Sequence, residues 1–258
     1  TNLKIMNNIQ RKKLVRRLTK SSVKEFPLAN LYILVLIVMG VFVELADNVL
    51  LKWLYRPLAI GLMVYYIHHK ASVLDYLTCN LTEVALVFAI AGNCLMLYGE
   101  EETAAIQRAV AMMGWLLYVA VFSMKQPIGK SSFVGKLVIW GSCIIVVGVQ
   151  ILVTYWLWYT EYRNLWARIV LTLLLLLAIL RYNNTSPRSY LFFCISASLF
   201  VLSELGCTAL RYFGSESVLC DVLEGPIVML GHYLIMHGSI LHCNLQDAID
   251  RLKSRSVY

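Results

Sequence analysis

Long apolar runs separated by short polar gaps occupy the chain from residue 28 to residue 241. A helix needs about 20 apolar residues to cross a bilayer, and the runs have roughly this length. We therefore predict an all-α, polytopic transmembrane bundle of about eight helices. The predicted spans are Leu28–Ala46, Trp53–His68, Leu77–Tyr98, Ala104–Met124, Phe133–Trp156, Trp166–Leu180, Tyr190–Leu210 and Val222–Leu241.

The composition strengthens this prediction. Hydrophobic residues make up 59% of the chain and charged residues 15%, whereas soluble domains are about 45–50% apolar and about 25% charged. The predicted organisation is a basic segment over residues 1–27, a membrane domain over 28–242 and a tail over 243–258. Four apolar residues in 240–252 share one helical face, so the last span is expected to continue into the membrane interface.

The distribution of basic residues predicts the topology. Of 23 lysines and arginines, 17 fall on the side of the N-terminus and 6 on the other. Eight of the 17 precede the first span. Cytoplasmic loops carry an excess of basic residues, so both termini are predicted to be cytoplasmic. If the source is eukaryotic, the endoplasmic reticulum or another endomembrane is the expected location.

Several local features have a simpler interpretation than a binding site. The basic segment could contact nucleic acid in a soluble protein, but beside a span it is expected to touch anionic headgroups. The aromatic residues of 155–166 match an interfacial belt better than a ligand box. The sequons at Asn80 and Asn183 are expected to be chance matches. The seven cysteines form no C-x-x-C pair, so we expect no disulfide framework, metal or cofactor.

Polar residues inside the predicted spans are the best pointers to function, because they are costly in lipid. Glu83 and Asn93 share one side of span three at different depths. If spans three, seven and eight meet, Asn93, Glu204 and His232 converge on one polar pocket. The complete set in these spans is Glu83, Asn93, Ser203, Glu204, Glu224, His232 and His237.

Each of these residues also has a structural interpretation. Glu83 and Glu224 lie near span ends and can reach water. Asn93, beside Gly92, can bridge two helices by a hydrogen bond. His237 and His242 are expected to be solvated at the interface. Glu204 is at mid-span, where an unpaired carboxyl group is expected to be neutral and could act as a general acid.

Four stretches resemble the YhhN-like family of membrane proteins, which includes the lysoplasmalogenases. They are WLYRPL at 53–58, AIAGNCLM at 89–96, SLFVLSEL at 198–205 and GHYLI at 231–235. The resemblance covers roughly residues 50–240. Asn93 and Glu204 each stand where the family usually has Asp, and Trp115 stands where some members carry His.

The resemblance implies hydrolysis of the vinyl-ether bond of a lysoplasmalogen. It suggests Glu204 as acid, Asn93 as a group that orients substrate or water, and His232 as a helper. Glu83, Ser203, Glu224 and Trp115 are candidate substrate-binding residues. The implied ligand is a lysophospholipid or another single-chain lipid taken from the bilayer.

A second function stays open. A relative that lacks catalysis could bind a lipid, or could join a membrane complex through a protein partner or a second copy. A transporter or channel is weaker, since there is no evident inverted repeat and no charged pathway through successive spans.

Overall fold

The computed structural model describes residues 27–46, 48–74, 77–95, 101–124, 133–156, 165–182, 185–212 and 218–254. The described part is all-helical, which confirms the predicted fold class, and the basic segment predicted at 1–27 lies almost wholly outside it. Its helices are α1 Pro27–Leu45, α2 Val49–Leu74, α3 Leu77–Leu95, α4 Glu101–Ser123, α5 Phe133–Trp156, α6 Leu165–Leu180, α7 Pro187–Tyr212 and α8 Val218–Ser254.

Four of these helices are long and apolar enough to cross a membrane. The qualifying segments are Leu28–Leu45, Leu77–Leu95, Ile106–Ser123 and Pro187–Gly206. Shorter apolar segments occur at Gly135–Val149 and Leu165–Leu180. Helices of this kind satisfy every backbone hydrogen bond internally, which lipid requires.

Helix α2 begins earlier than the apolar run predicts. Asn48 caps it, because its Oδ1 accepts a hydrogen bond from the backbone N–H of Leu51 at 3.2 Å. Such a cap satisfies one of the N–H groups that have no partner in the first turn. The helix also contains Pro57, and Lys52, which precedes the predicted start of the span at Trp53, lies in its first turn.

Helix α8 is the centre of the bundle. It packs against α1, α2, α3 and α7, and both clusters of buried apolar residues include side chains from it, such as Met229 and Ile235. The helix does not end at the predicted boundary of residue 242 but continues to Ser254. Cys243 and Leu245 are buried there, so the extension packs against the other helices.

Helix α5 lies at the edge of the bundle and packs mainly against α6. Its apolar side chains are widely exposed; Trp140 is 64% and Ile144 70% accessible. A soluble monomer rarely exposes an apolar surface of this extent. Lipid contact is the environment that fits such a helix.

Two glycines allow α7 and α8 to approach closely. A Cβ atom at Gly231 would lie 2.6 Å from Cε1 of Phe200, and one at Gly238 would lie 2.9 Å from Cε1 of Phe193. Small residues let helix backbones approach in this way. The two phenylalanines therefore fill the space that a side chain on α8 would take.

Candidate functional site

A cavity of about 100 Å³ lies where α8 meets the antiparallel pair α3 and α4. Its polar members are Asn93 from α3, Gln107 from α4 and His232 from α8. The remaining lining residues are Ala85, Ala89, Gly92, Ala111, Gly114, Trp115 and Val228. None of the residues that line it is charged, so the cavity is suited to a neutral polar group.

His232 is held at the inner end of this cavity. Its Nδ1 is 2.8 Å from the hydroxyl of Tyr118, and the residue is 4% accessible. The ring of Phe200 packs edge-on against the imidazole, with centroids 5.1 Å apart. This hydrogen bond occupies Nδ1 and leaves Nε2 as the ring nitrogen that can change partners.

Asn93 presents an acceptor to the cavity. Its side-chain Nδ2 donates a hydrogen bond of 2.8 Å to the backbone carbonyl of Ala89, one turn earlier on α3. A carbonyl oxygen only accepts, so the atom that faces it has to be the amide nitrogen. The remaining polar atom of Asn93 is Oδ1, which can accept a hydrogen bond from water or from a hydroxyl group.

Small residues form the wall between the polar groups. A Cβ atom at Gly114 would lie 3.2 Å from the carbonyl oxygen of Ala85, and one at Gly92 would lie 3.8 Å from Cβ of Ala111. Because α3 and α4 pack closely against each other here, the cavity opens towards α8. Trp115 is among the lining residues and contributes a large apolar ring.

Glu204 is half-buried on α7 and is not among the residues that line the cavity. It follows Phe200 by one helical turn, so the two residues lie on nearly the same face of α7. Because Phe200 contacts His232, Glu204 lies about one helical turn along α7 from the level of the His232 imidazole. Ser203 is 5% accessible and Glu224 is half-buried; they too lie outside the lining.

Glu83 lies away from Asn93, although both are on α3. Its Oε1 is 2.8 Å from Nδ1 of His68 on α2. The contact is partly exposed, with 68% of the His68 side chain accessible. The prediction that Glu83 can reach water fits this placement better than the prediction that it contacts substrate in the cavity.

Three residues of the site were missed by the sequence analysis. Tyr118, Phe200 and Gln107 lie inside predicted spans, where nothing in the sequence distinguishes them from ordinary span residues. Tyr118 and Gln107 are eleven positions apart on α4, three turns, which would have placed them on one face. Nothing in the sequence alone pairs that face with His232.

Buried polar groups also hold the two ends of the bundle. At one end, Glu44 is 6% accessible and accepts hydrogen bonds from the hydroxyl of Tyr55 at 2.7 Å and from the guanidinium of Arg56. Lys52 adds an ion pair at 3.2 Å. A Cβ atom at Gly225 of α8 would collide with this cluster, at 2.7 Å from the Tyr55 hydroxyl.

At the other end, Arg181 is fully buried. It donates to the carbonyl of Val121 at 2.6 Å and to Nδ1 of His242 at 3.2 Å, and it lies over the ring of Phe193. Burial lowers the pKa of Arg181 to about 10, so the guanidinium stays charged at neutral pH. Arg181 therefore supplies a donor to the last turn of α4.

The two histidines expected to be solvated are not. His242 is 1% accessible and bonds to Arg181. His237 is hydrogen-bonded to Oδ1 of Asn30 at 2.9 Å and packs edge-on against the ring of Tyr233, at 4.5 Å between centroids. The extension of α8 explains the difference, because it keeps these turns inside the bundle.

No family model, curated protein or solved structure matches the chain. Among the described residues, no group of three or more His, Cys, Asp or Glu could hold a metal ion.

Proposed function

We propose that the protein is a membrane-embedded hydrolase of single-chain ether lipids, similar to the lysoplasmalogenases. The observation that supports this is the cavity shared by Asn93, Trp115 and His232, which come from three helices far apart in the sequence. The cavity joins an acceptor amide, an imidazole and an aromatic wall. These are groups that can bind a lipid oxygen and water in an apolar setting.

The reaction would add one water across the vinyl-ether bond. A proton moves to the outer vinyl carbon and leaves an oxocarbenium ion on the carbon next to oxygen. Water adds to that carbon and loses a proton, and the hemiacetal then breaks into a fatty aldehyde and a glycerophospho alcohol. Glu204 would supply the first proton, Asn93 would orient the substrate, and His232 would accept the proton of the attacking water.

The proposed setting is an integral membrane protein with eight spans and both termini in the cytoplasm. The excess of basic residues on one side supports this topology, as does the apolar exposure of α5. Helices α2 and α8 would also cross the bilayer in this arrangement. An endomembrane such as the endoplasmic reticulum fits a eukaryotic source.

A protein that binds a lipid without cleaving it is the second candidate. Two observations favour it: Glu204 is outside the cavity lining, and the amide nitrogen of Asn93 is bound to its own helix. In such a protein the cavity would hold the lipid, and the exposed face of α5 would remain available for a protein partner or a second copy.

Release of aldehyde from a lysoplasmalogen separates the two candidates. The purified, detergent-solubilised protein is incubated with the lipid, and Glu204→Gln and Asn80→Gln are measured beside it. Hydrolysis predicts release from the native protein and from Asn80→Gln, whose exposed side chain lies outside the cavity, but at least a hundredfold less from Glu204→Gln. Lipid binding alone predicts no aldehyde from any of the three, although the protein is folded and monodisperse.

The substitution Asn93→Asp is the complementary test. An aspartate restores the carboxyl group that the related family usually has here, but a carboxylate cannot donate to the Ala89 carbonyl. A gain of aldehyde release would identify Asn93 as the position that limits catalysis. No gain, with the fold intact, would favour the lipid-binding protein.

A further inference from the structure

The polar groups of the cavity are separated along its length. Asn93 is two residues from the end of α3, and Gln107 is in the second turn of α4, so both lie near the loop that joins these helices. Ala85 and Gly114 are in contact deeper in the bundle. Ala85 and Asn93 differ in depth by about 12 Å along the helix axis. His232 is at the deep end, beside Tyr118.

Asn93 and Gln107 have complementary hydrogen-bonding capacity. Oδ1 of Asn93 accepts, because Nδ2 is already bound to Ala89. The side chain of Gln107 carries two N–H donors and one carbonyl acceptor. A hydroxyl group is both a donor and an acceptor, so it can give its proton to Asn93 and accept one from Gln107. A phosphate offers acceptors only and would leave the Asn93 oxygen unsatisfied.

The size of the cavity limits what enters it. Pockets for whole drug-sized ligands are about 300–1,000 Å³, whereas this one is about 100 Å³. It can hold the glycerol part of a lipid and the first atoms of the chain, with the rest of the chain along the outer surface. No charge lines the cavity, so the phosphate remains outside it, towards the loop between α3 and α4.

We propose that Gln107 and Asn93 together bind the free glycerol hydroxyl of a single-chain lipid, and that Asn93, which accepts the hydroxyl proton, is the residue that selects for it. This inference rests on the proposed function in taking the cavity as the lipid site. It adds an orientation: the glycerol lies at the end of the cavity near the α3–α4 loop, and the chain bond that reacts points towards His232. Esterification or methylation of this hydroxyl removes its O–H donor, and with it the hydrogen bond to Asn93. The added group also collides with the cavity wall.

Binding can be measured without catalysis. The protein in lipid nanodiscs is titrated with a single-chain phosphocholine lipid that carries a nitroxide on its chain, and with the same lipid methylated at the glycerol hydroxyl. The nitroxide quenches the fluorescence of nearby tryptophans. The quenching that is lost in Trp115→Phe is the part that reports on lipid bound in the cavity. Asn93→Leu and Gln107→Leu are compared with Arg108→Gln, whose side chain is exposed and does not line the cavity.

Recognition of the hydroxyl predicts a coupling between the residue and the lipid. The native protein and Arg108→Gln should bind the methylated lipid about fivefold more weakly than the free alcohol, the usual effect of one hydrogen bond. Asn93→Leu should bind both lipids alike, whereas Gln107→Leu should weaken both by a similar factor, because an ether oxygen still accepts a hydrogen bond. Because the first comparison changes only the lipid, it needs no folded variant.

Three results would overturn the inference. They are an equal affinity of the native protein for both lipids, a loss in Asn93→Leu that is the same for both, and quenching that does not depend on Trp115. If the coupling is found but no aldehyde is released from any lysoplasmalogen, the hydroxyl site stands and the hydrolase proposal fails.

Discussion

The contact between Gly231 and Phe200 provides a direct test of how α8 is held. A Cβ atom at Gly231 would lie 2.6 Å from Cε1 and 2.9 Å from Cζ of Phe200, whereas carbon atoms favour separations of about 3.5–4.0 Å. The ring cannot simply move aside, because it is 2% accessible and packs against His232. The substitution Gly231→Ala therefore has to push α7 and α8 apart by almost an ångström.

The expected loss of stability follows from two opposing effects. Overpacking of a filled core costs about 1–3 kcal/mol, and alanine recovers up to about 1 kcal/mol of helix propensity relative to glycine. The net destabilisation is then about 1–2 kcal/mol, which in a chain of this size corresponds to a fall in Tm of roughly 2–8 °C. His232 should also shift, because the same phenylalanine ring packs against it.

The measurement is thermal unfolding in a mild detergent, with Gly141→Ala as the matched control. Gly141 lies on α5, and a Cβ atom there meets nothing within 4 Å, so this substitution should leave Tm unchanged or raise it slightly. In a Phe200→Leu background the loss caused by Gly231→Ala should shrink, because the smaller side chain leaves room. If Gly231→Ala is as stable as Gly141→Ala, or if Phe200→Leu gives no relief, the proposed packing is incorrect.

Three further predictions concern the buried polar groups. Tyr118→Phe removes the hydroxyl that holds Nδ1 of His232 and should reduce aldehyde release by about tenfold with little change in KM, measured by steady-state kinetics; an unchanged rate would mean that this bond has no role in catalysis. Arg181→Ala removes one of two donors to the Val121 carbonyl, which keeps the N–H of Met124, and opens a void, so it should lower the free energy of unfolding by about 3 kcal/mol, whereas the apolar, space-filling Arg181→Met should cost clearly less in the same denaturant titration; equal losses would contradict this. Gly225→Ala should displace Glu44 from its partners and lower Tm by several degrees, and a Tm equal to that of the native chain would show that the cluster can move without cost.

The helices were largely determined by the sequence alone. In lipid an unpaired backbone group has no water to bond with, so a long apolar run has few alternatives to a helix. This is why the ranges predicted for spans such as Phe133–Trp156 agree closely with the structure. The predictions differ most where polar residues extend a helix beyond its apolar run, as at Asn48 before α2.

Pairing of side chains between helices needed the tertiary structure. Helical periodicity places Asn93 on one face of α3 and His232 on one face of α8, but it does not state which faces meet. That is decided by small residues such as Gly114, whose contact with Ala85 sets the distance between α3 and α4. Gln107 became part of the cavity for the same reason, and its role could not be predicted from its position near a span end.

Burial of charge was the feature that the sequence described least well. Glu44 lies inside the first predicted span and Arg181 directly after the sixth, and both are buried against partners from other helices. A sequence shows that a charged residue is present and that burying it in an apolar setting is costly. Whether that cost is offset depends on donors and acceptors that the folded chain brings within about 3 Å, and only the packing of α8 against its neighbours decides that.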